Sequence, residues 1–426
     1  MTDSRVPLRG LVLAFVCALA SACGSSISDA GQSGSAGSAS TPAIAGASAT
    51  GGSSGSSSAG VAGSAPATAG GTGGFGATAN NGGAAGGVAA AGESSAAGNS
   101  GSGSAGTAGS AGAHASGGTG PLDPGTQGDG EIEVGPNYAA SPDGKLKPNA
   151  PAGFSVSFDL GSSVSKIFTG DDFDPKLTFT RQIKVWVPAQ YADGGEAPFM
   201  ISSDGFYGGL QTVVQNLAGD PDPNHRVPPL VIIGVQNGPN NNPSERSLEY
   251  DTVSDRYSKF VNDEVLTQVV ANAALKAKYP NFKLTSDPNG RGGYGCSSGG
   301  PAVMGLAWFG GFNRVFSFSG SFVAIRPNAE HPLGAWEYPS LIGAAPLRPG
   351  LRVFLEVGEQ DNGYNSAEST HRSWPISNRN FAAALKAKGN HYRYVFAKGA
   401  GHCDDAARNQ VMPEGLIWLW RGYQTP

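Results

Sequence analysis

Residues Gly295-Cys296-Ser297-Ser298-Gly299 fit the pattern G-x-S-x-G, and this stretch decides the fold that the sequence predicts. Tyr294 leads into it, and the mostly apolar run 301–306 follows it as the start of a helix. Small residues flank the central serine in such a pattern, because a sharp strand-to-helix turn must expose its Oγ without steric collision. The chain contains 66 glycines, so the pattern gains its weight from this context. We predict that Ser297 is a nucleophile; a structural glycine-rich turn is the alternative.

Strands and helices alternate around this turn. Short β-branched runs predict strands at 183–187, 199–201, 230–235, 314–318, 351–357 and 392–396. Helical spacing predicts helices at 257–279, at about 378–388 and at the end of the chain up to 420. This alternation favours an α/β fold with a mostly parallel central sheet, flanked by helices on both faces. The active site of such a sheet lies at the carboxyl ends of its strands.

A serine nucleophile needs a base and an acid that orients the base. His402 follows the predicted strand 392–396 and is the predicted base. Asp361, just beyond the strand 351–357, is the predicted acid; Glu359 is the alternative, since either carboxylate can turn inward. The order Ser, acid, His is that of α/β-hydrolases, so we predict a single α/β-hydrolase domain. The other histidines of the domain fall in polar loops and are predicted to be solvated: His225, His331, His371 and His391.

The oxyanion that forms during attack on a carbonyl needs two backbone N–H donors. One is expected at Ser298, where the helix after the nucleophile begins. The other is expected in the segment 203–207 after an early strand, with Phe206 as the preferred residue. A simple turn around Asp204 and Gly205 also explains that segment.

The start of the chain predicts export. Two arginines precede the apolar run 11–19, and small residues lead from it to Cys23, which indicates a signal peptide over 1–22. The run is too short to span a membrane. Its end resembles the lipobox of bacterial lipoproteins, although Ala20 stands where Leu is commoner. We expect a lipid anchor on Cys23 and a place in the bacterial cell envelope, at the outer membrane or in the periplasm. Secretion after cleavage behind Ala22 is the alternative.

Composition divides the rest of the chain. Residues 24–120 hold 29 of the 66 glycines and no Lys or Arg, so they cannot bury enough apolar surface to offset the entropy of ordering. We predict a disordered tether over 23–127 and one folded domain over 128–426. Residues 121–426 carry 26 Lys and Arg against 30 Asp and Glu, a net charge of −4, which gives no electrostatic reason to bind nucleic acid.

From about Gly130 onward, the chain resembles the esterase D/enterochelin-esterase group of α/β-hydrolases. The resemblance implies a serine ester hydrolase with neither a metal nor another cofactor. It also implies that Arg246 contacts the substrate, with a structural ion pair as an equal alternative. The matching segments, more specific as an ordered set than any one motif, are 203–205, 246–251, 255–257, 295–300, 319–322, 358–361 and 401–402.

Two of the four cysteines, Cys296 and Cys403, remain in the domain. Two exported cysteines with no other partner suggest a pair. They stand directly before Ser297 and directly after His402, which resembles the Cys-Ser…Asp…His-Cys arrangement of tannases and fungal feruloyl esterases. In those families a disulfide ties the nucleophile turn to the histidine loop, so the resemblance implies the same bond here. The large lid insertion of tannases is absent, and two buried free thiols are the alternative.

These features favour a surface-anchored serine esterase that acts on small-molecule or polysaccharide-linked esters, for example siderophore lactones, feruloyl groups or acetyl groups. An acyltransferase is the second hypothesis, since mycolyltransferases resemble the same group. A non-catalytic surface-binding module is the third, and the intact set of Ser, Asp and His disfavours it. The sequence predicts no oligomeric state. Some aromatic residues are candidates for a cleft suited to phenolic or catecholate esters, although such residues more often pack in the core or at a rim: Trp308, Phe309, Phe312, Trp336 and Trp374.

Overall fold

A computed structural model describes residues 125–239 and 243–424 of the chain. The predicted signal peptide, Cys23 and nearly all of the predicted tether lie outside the described residues. The strands within the described ranges are β1 (Gly130–Val134), β2 (Phe154–Gly161), β3 (Thr180–Val187), β4 (Glu196–Ala197), β5 (Phe199–Ser203), β6 (Val231–Val235), β7 (Lys283–Leu284), β8 (Arg291–Cys296), β9 (Arg314–Phe318), β10 (Arg352–Gly358) and β11 (His391–Ala397).

The helices connect these strands and cover them. In chain order they are α1 (Leu210–Ala218), α2 (Pro243–Asp251), α3 (Arg256–Lys259), α4 (Leu266–Ala271), α5 (Ala273–Lys278), α6 (Gly299–Phe309), α7 (Tyr338–Ala344), α8 (Trp374–Lys388) and α9 (Asp405–Trp420). No helix within the described ranges is both long and apolar enough to cross a membrane.

Within the described residues, nine strands form one sheet in the order β1-β11-β10-β9-β8-β5-β6-β3-β2. All neighbours are parallel except at β3, which pairs antiparallel with both β6 and β2. Strands β4 and β7 form a separate parallel pair. The predicted mostly parallel central sheet is therefore confirmed.

Both faces of the sheet are covered, as alternate residues of β10 show. Val353 and Leu355 point into one apolar core, whereas Phe354 points into the other. Helices α6 and α8 contribute Val303 and Phe381 among others to the first core, while α1 and α9 close the second. Because β10 is buried along its whole length, it reads as a nearly continuous apolar run, as is typical of strands inside a covered parallel sheet.

The prediction of one continuous helix over 257–279 is wrong. The segment begins as α3, continues through a π-helical stretch Phe260–Val265 into α4, and then breaks at Asn272. Asn272 has an extended backbone (ψ 123°), and its side chain accepts a hydrogen bond from the Leu275 N–H. Asn272 thus acts as the N-cap of α5, a role for which asparagine is strongly preferred.

The prediction that His391 is a solvated loop residue is also wrong. His391 is the first residue of β11 and is only 8% exposed. Its Nδ1 lies 2.7 Å from Oδ2 of Asp129, directly before β1. The chain leading into the edge strand therefore covers this histidine, a contact between residues 262 positions apart that local sequence does not indicate.

Candidate active site

The turn after β8 holds Ser297 in the left-handed region, with φ +58°. A non-glycine residue is uncommon there, and such strain clusters at functional sites. A Cβ atom on Gly295 would collide with the Gly299 carbonyl, and one on Gly299 would collide with Ser203 Oγ. Gly295 is thus required sterically because it faces main chain, whereas a side chain at position 299 would displace the Ser203 hydroxyl. Small residues at these positions are typical of a turn that exposes a serine.

Ser297, His402 and Asp361 meet at the carboxyl edge of the sheet. Ser297 Oγ lies 2.9 Å from His402 Nε2, and His402 Nδ1 lies 2.6 Å from Asp361 Oδ1. Asp361 is fully buried, and its Oδ1 also accepts a hydrogen bond from the Asn362 N–H at 2.6 Å. Since a carboxylate only accepts, Nδ1 carries the imidazole proton, and Nε2 accepts from the Ser297 hydroxyl. Glu359 is exposed and accepts instead from the Gly399 N–H.

Backbone hydrogen bonds hold the acid loop against the histidine loop. The Glu359 N–H donates to Ala397 O and the Gln360 N–H to Ala400 O, each at 2.8 Å. Gly358 permits this approach, because a Cβ atom there would contact the carbonyl oxygens of the histidine loop. The spacing of Asp361 and His402 is therefore set by main chain, which is how a site keeps its geometry.

Cys296 and Cys403 flank the reacting residues from both sides. Their sulfur atoms lie at bonding distance, and their Cα atoms are 6.2 Å apart, within the range of disulfides. The two positions are 107 residues apart in the sequence. The pair joins the end of β8 to the loop that carries His402.

A buried carboxyl, Glu356, lies on β10 beneath the site. Burial raises the pKa of Glu356 well above its usual value, and the charges of Asp361 and Asp404 raise it further, whereas Arg408 lowers it. Burial and the nearby charges of Asp361 and Asp404 therefore both disfavour a negative charge on Glu356.

The two expected oxyanion donors lie beyond the carboxyl ends of two neighbouring strands, β8 and β5. Ser298 precedes α6, and Phe206 follows a turn in which Asp204 and Gly205 both have positive φ. The structure records no hydrogen bond from the N–H of Ser298 or of Phe206 to the described residues.

Arg246, on α2, forms an ion pair with the turn that precedes Phe206. Its Nε and Nη2 each lie 2.7 Å from an oxygen of Asp204. Tyr250 adds a second contact, because its hydroxyl accepts from the Asp204 N–H at 3.2 Å. The structure thus contains the ion pair that was one of the two expectations for Arg246.

Two aromatic residues of the expected cleft lie at the carboxyl edge and three do not. The Trp374 ring packs edge-on against His402, with centroids 6.0 Å apart, and Trp336 contacts His371. The expectation is wrong for Phe312, which is fully buried against Phe199. It is also wrong for Trp308 and Phe309, because they end α6 and so lie about 15 Å along the helix from its first residue.

Ser321 was not predicted as a site residue, although it lies in the matching segment 319–322. Its Oγ lies 3.3 Å from Ser297 Oγ and 3.1 Å from Trp374 Nε1. Its position in the sequence could have pointed to the site, because Ser319-Gly320-Ser321 directly follows the predicted strand 314–318. Carboxyl ends of neighbouring parallel strands meet at one edge, so this segment had to lie beside Ser297.

Among the residues that the structure describes, no group of three or more His, Cys, Asp or Glu side chains is arranged to hold a metal ion. The sheet order and the placement of Ser297, Asp361 and His402 beyond β8, β10 and β11 define an α/β-hydrolase fold.

No family model and no curated protein matches the chain. Similar solved structures include the enterobactin esterase FES from Shigella flexneri, at 18% identity over 65% of this chain and 60% of that one, with a TM-score of 0.43. BES protein from Bacillus cereus is 15% identical over 65% and 96% of the two chains, with a TM-score of 0.44. The CE1 ferulic acid esterase from the anaerobic fungus Anaeromyces mucronatus is 12% identical over 67% and 98%, with a TM-score of 0.44. The aligned region spans about 60% of the FES chain. At these identities and TM-scores the likeness alone assigns no activity.

Proposed function

We propose that the chain is a serine carboxylic-ester hydrolase that works through an acyl-enzyme. The observation that supports this most strongly is the hydrogen-bonded chain from Ser297 Oγ through His402 to the buried Asp361. It lies at the edge of the sheet where α/β proteins bind their ligands. A structural glycine-rich turn would not need a serine at positive φ beside a histidine.

In this mechanism Ser297 Oγ attacks the ester carbonyl carbon while His402 Nε2 takes its proton. The N–H groups of Ser298 and Phe206 donate hydrogen bonds to the carbonyl oxygen and stabilise the negative charge that develops on it. His402 then gives the proton to the departing alcohol, which leaves the acyl group on Ser297. Water attacks the acyl-enzyme with His402 again as base, and the acid departs. Asp361 holds the imidazole tautomer and stabilises the imidazolium throughout.

We propose that Cys296 and Cys403 form a disulfide that fixes the base relative to the nucleophile. The contact of their sulfurs and the position of each cysteine next to a reacting residue support the bond. The rate of the catalysed reaction depends strongly on the spacing of Ser297 and His402, because misplacing a catalytic group by about 1 Å can lower the rate on the order of 100-fold.

We propose phenolic or catecholate esters, free or linked to polysaccharide, as the substrate class. The resemblance of the motifs to enterochelin and feruloyl esterases supports this choice, and Trp374 offers an aromatic ring beside His402. We place the enzyme in the bacterial cell envelope, held to a membrane by lipidated Cys23 and the tether. Nothing in its charge favours nucleic acid as a partner.

Hydrolysis of a panel of p-nitrophenyl, feruloyl and catecholate esters by the wild type, Ser297→Ala and Ser369→Ala tests the proposal. Ser369 is an exposed serine and serves as the matched control. We expect kcat to fall by about 10⁶ in Ser297→Ala only, with unchanged circular dichroism. A tenth of wild-type activity in Ser297→Ala would remove this residue from the role. Preferential formation of a new ester when an alcohol is added would make the enzyme an acyltransferase instead.

A further inference from the structure

The hydroxyl of Ser321 contacts the nucleophile but has no part in the mechanism above. Ser321 is fully buried in the loop that follows β9. Its Oγ lies 3.3 Å from Ser297 Oγ, and Trp374 Nε1 lies 3.1 Å from it on the other side. Ser297 Oγ thus has two recorded side-chain partners, His402 and Ser321.

The direction of each hydrogen bond follows from the two groups that end this chain of side chains, the Trp374 indole and the Asp361 carboxylate. An indole N–H can only donate, so Ser321 Oγ accepts from Trp374 and its own hydrogen points elsewhere. The Asp361 carboxylate can only accept, so the Ser297 hydrogen is directed to His402 Nε2. Ser297 Oγ can therefore only accept from Ser321. The donation runs from Trp374 through Ser321, Ser297 and His402 to Asp361.

Backbone contacts make this arrangement rigid. The Ser321 N–H donates to Ser297 O, and the Ser297 N–H donates to Phe318 O, each at 3.0 Å. Asn378 Nδ2 donates to Gly320 O at 2.9 Å, which fixes the loop to α8. Trp374 begins α8, and its N–H donates to Asn362 O, next to the predicted acid. The approach of the two hydroxyls is thus set by the main chain on both sides.

We propose that Ser321 is a further catalytic residue, whose hydroxyl donates a hydrogen bond to Ser297 Oγ, and that Trp374 is a positioning residue that acts through Ser321. The inference rests on the proposed nucleophilic role of Ser297. During attack the Ser297 proton moves to His402 Nε2, and Ser321 keeps its own proton. During deacylation the bond between Ser297 Oγ and the acyl carbon breaks, and Oγ regains its proton from His402. In both steps negative charge develops on Ser297 Oγ, and Ser321 stabilises it without transferring a proton.

The effect is expected on kcat rather than on KM. A hydrogen bond to a charged group is considerably stronger than one between neutral groups, so the Ser321 donor favours the transition state over the resting enzyme. This assignment concerns the indole N–H of Trp374, which donates to Ser321, and not the ring surface that lies beside His402.

A double-mutant cycle on the full-length protein tests the inference, with Ser321→Ala, Trp374→Phe and the double variant. Two readouts are kcat and KM on a p-nitrophenyl ester and the rate constant for labelling of Ser297 by a fluorophosphonate. We expect Ser321→Ala to lower kcat and the labelling rate by on the order of 10-fold, with KM within about 2-fold. Trp374→Phe should cost less, and nothing further in the Ser321→Ala background. Ser377→Ala is the matched control, since Ser377 is buried on α8 and its hydroxyl donates only to Trp374 O; it should leave kcat unchanged.

Wild-type kcat and labelling in Ser321→Ala would overturn the inference and leave the proposed function intact. A raised KM in Trp374→Phe that persists in the Ser321→Ala background would overturn the role of Trp374 and assign it to the substrate. If Ser321→Ala does not fold, Trp374→Phe carries the test, and an unchanged labelling rate in that variant overturns the inference. A wild-type protein that is not labelled at Ser297 overturns the proposed function as well.

Discussion

At the scale of single residues, tertiary contacts distinguish between the two carboxylates that follow β10. Asp361 and Glu359 stand two positions apart, and the sequence predicted Asp361 as the acid with Glu359 as the alternative. Asp361 is buried against His402 Nδ1, whereas Glu359 is exposed and accepts from the Gly399 N–H. Which of them turned inward depended on how the acid loop is bonded to the histidine loop, and those are contacts between residues about 40 positions apart.

Asp361→Asn should therefore be far more damaging than Glu359→Gln. An amide at position 361 can donate to the imidazole and so favours the wrong tautomer, which costs about 10⁴ in kcat in a comparable triad. Glu359→Gln should change kcat by no more than a few-fold. Steady-state kinetics on one ester checks both variants, and the reverse order of damage would assign the acid to Glu359.

A second residue, Asp251 at the end of α2, makes a prediction about pH. Burial raises the pKa of Asp251 from 3.8 to about 6, although hydrogen bonds from Ser247 and Ser298 oppose this. The folded protein thus binds this proton more tightly than the unfolded chain. Protonation of Asp251 therefore contributes about 3 kcal/mol to the free energy of unfolding below pH 4. This contribution is lost as the pH rises through about 6.

Asp251→Asn should remove this pH-dependent loss of stability, because an amide does not titrate. The free energy of unfolding of this variant, relative to the wild type, should rise between pH 4 and pH 7, as measured by denaturant unfolding at several pH values. Glu330→Gln, at an exposed acid, serves as the control and should give a flat difference. A flat difference for Asp251→Asn too would mean that Asp251 titrates as it does in the unfolded chain.

At the scale of helices and strands, strongly apolar runs could be predicted and polar ones could not. Strands β6, β9 and β10 match the predicted segments within one residue at each end, because they are buried on both faces. Strand β1 was missed, since its middle residues are exposed and polar apart from Ile132. Strand β2 was missed although Phe154, Val156, Phe158 and Leu160 alternate with polar residues, which is a strand pattern. Helix α2 was missed because its sequence is mostly polar, and the ion pair of its Arg246 with Asp204 shows its importance.

The cysteine pair that joins β8 to the histidine loop leads to a prediction about stability and activity. If Cys296 and Cys403 are bonded, Cys296→Ala and Cys403→Ala should each lower the melting temperature and kcat, and the double variant should add little. Chain entropy for a loop of this length gives an upper figure of about 4–5 kcal/mol. Reduction of the wild type should reproduce both losses.

A thiol count on the denatured mature protein, with and without reductant, is the direct check. The bond predicts that both thiols appear only after reduction. Two free thiols from Cys296 and Cys403 before reduction would contradict it, and the site would then be held by its hydrogen bonds alone.

At the scale of the whole molecule, the site and its supports lie within the described residues, while the predicted anchor does not. If Cys23 is lipidated, Cys23→Ser should move the protein from the membrane fraction to the soluble fraction without a change in kcat or KM. The reason is that no residue of the site belongs to the predicted tether. Fractionation of cells that express each form checks this, with Ser25→Ala as the control. Membrane association that persists in Cys23→Ser would contradict the lipid anchor.

Mapping of a covalent adduct tests whether Ser297 is the nucleophile of a serine hydrolase. The wild-type protein and Ser297→Ala are treated with a fluorophosphonate, digested and analysed by mass spectrometry. We expect one adduct in the wild type, on the peptide that contains Ser297, and none in Ser297→Ala. An adduct on another serine, or equal labelling of the two proteins, would contradict the claim.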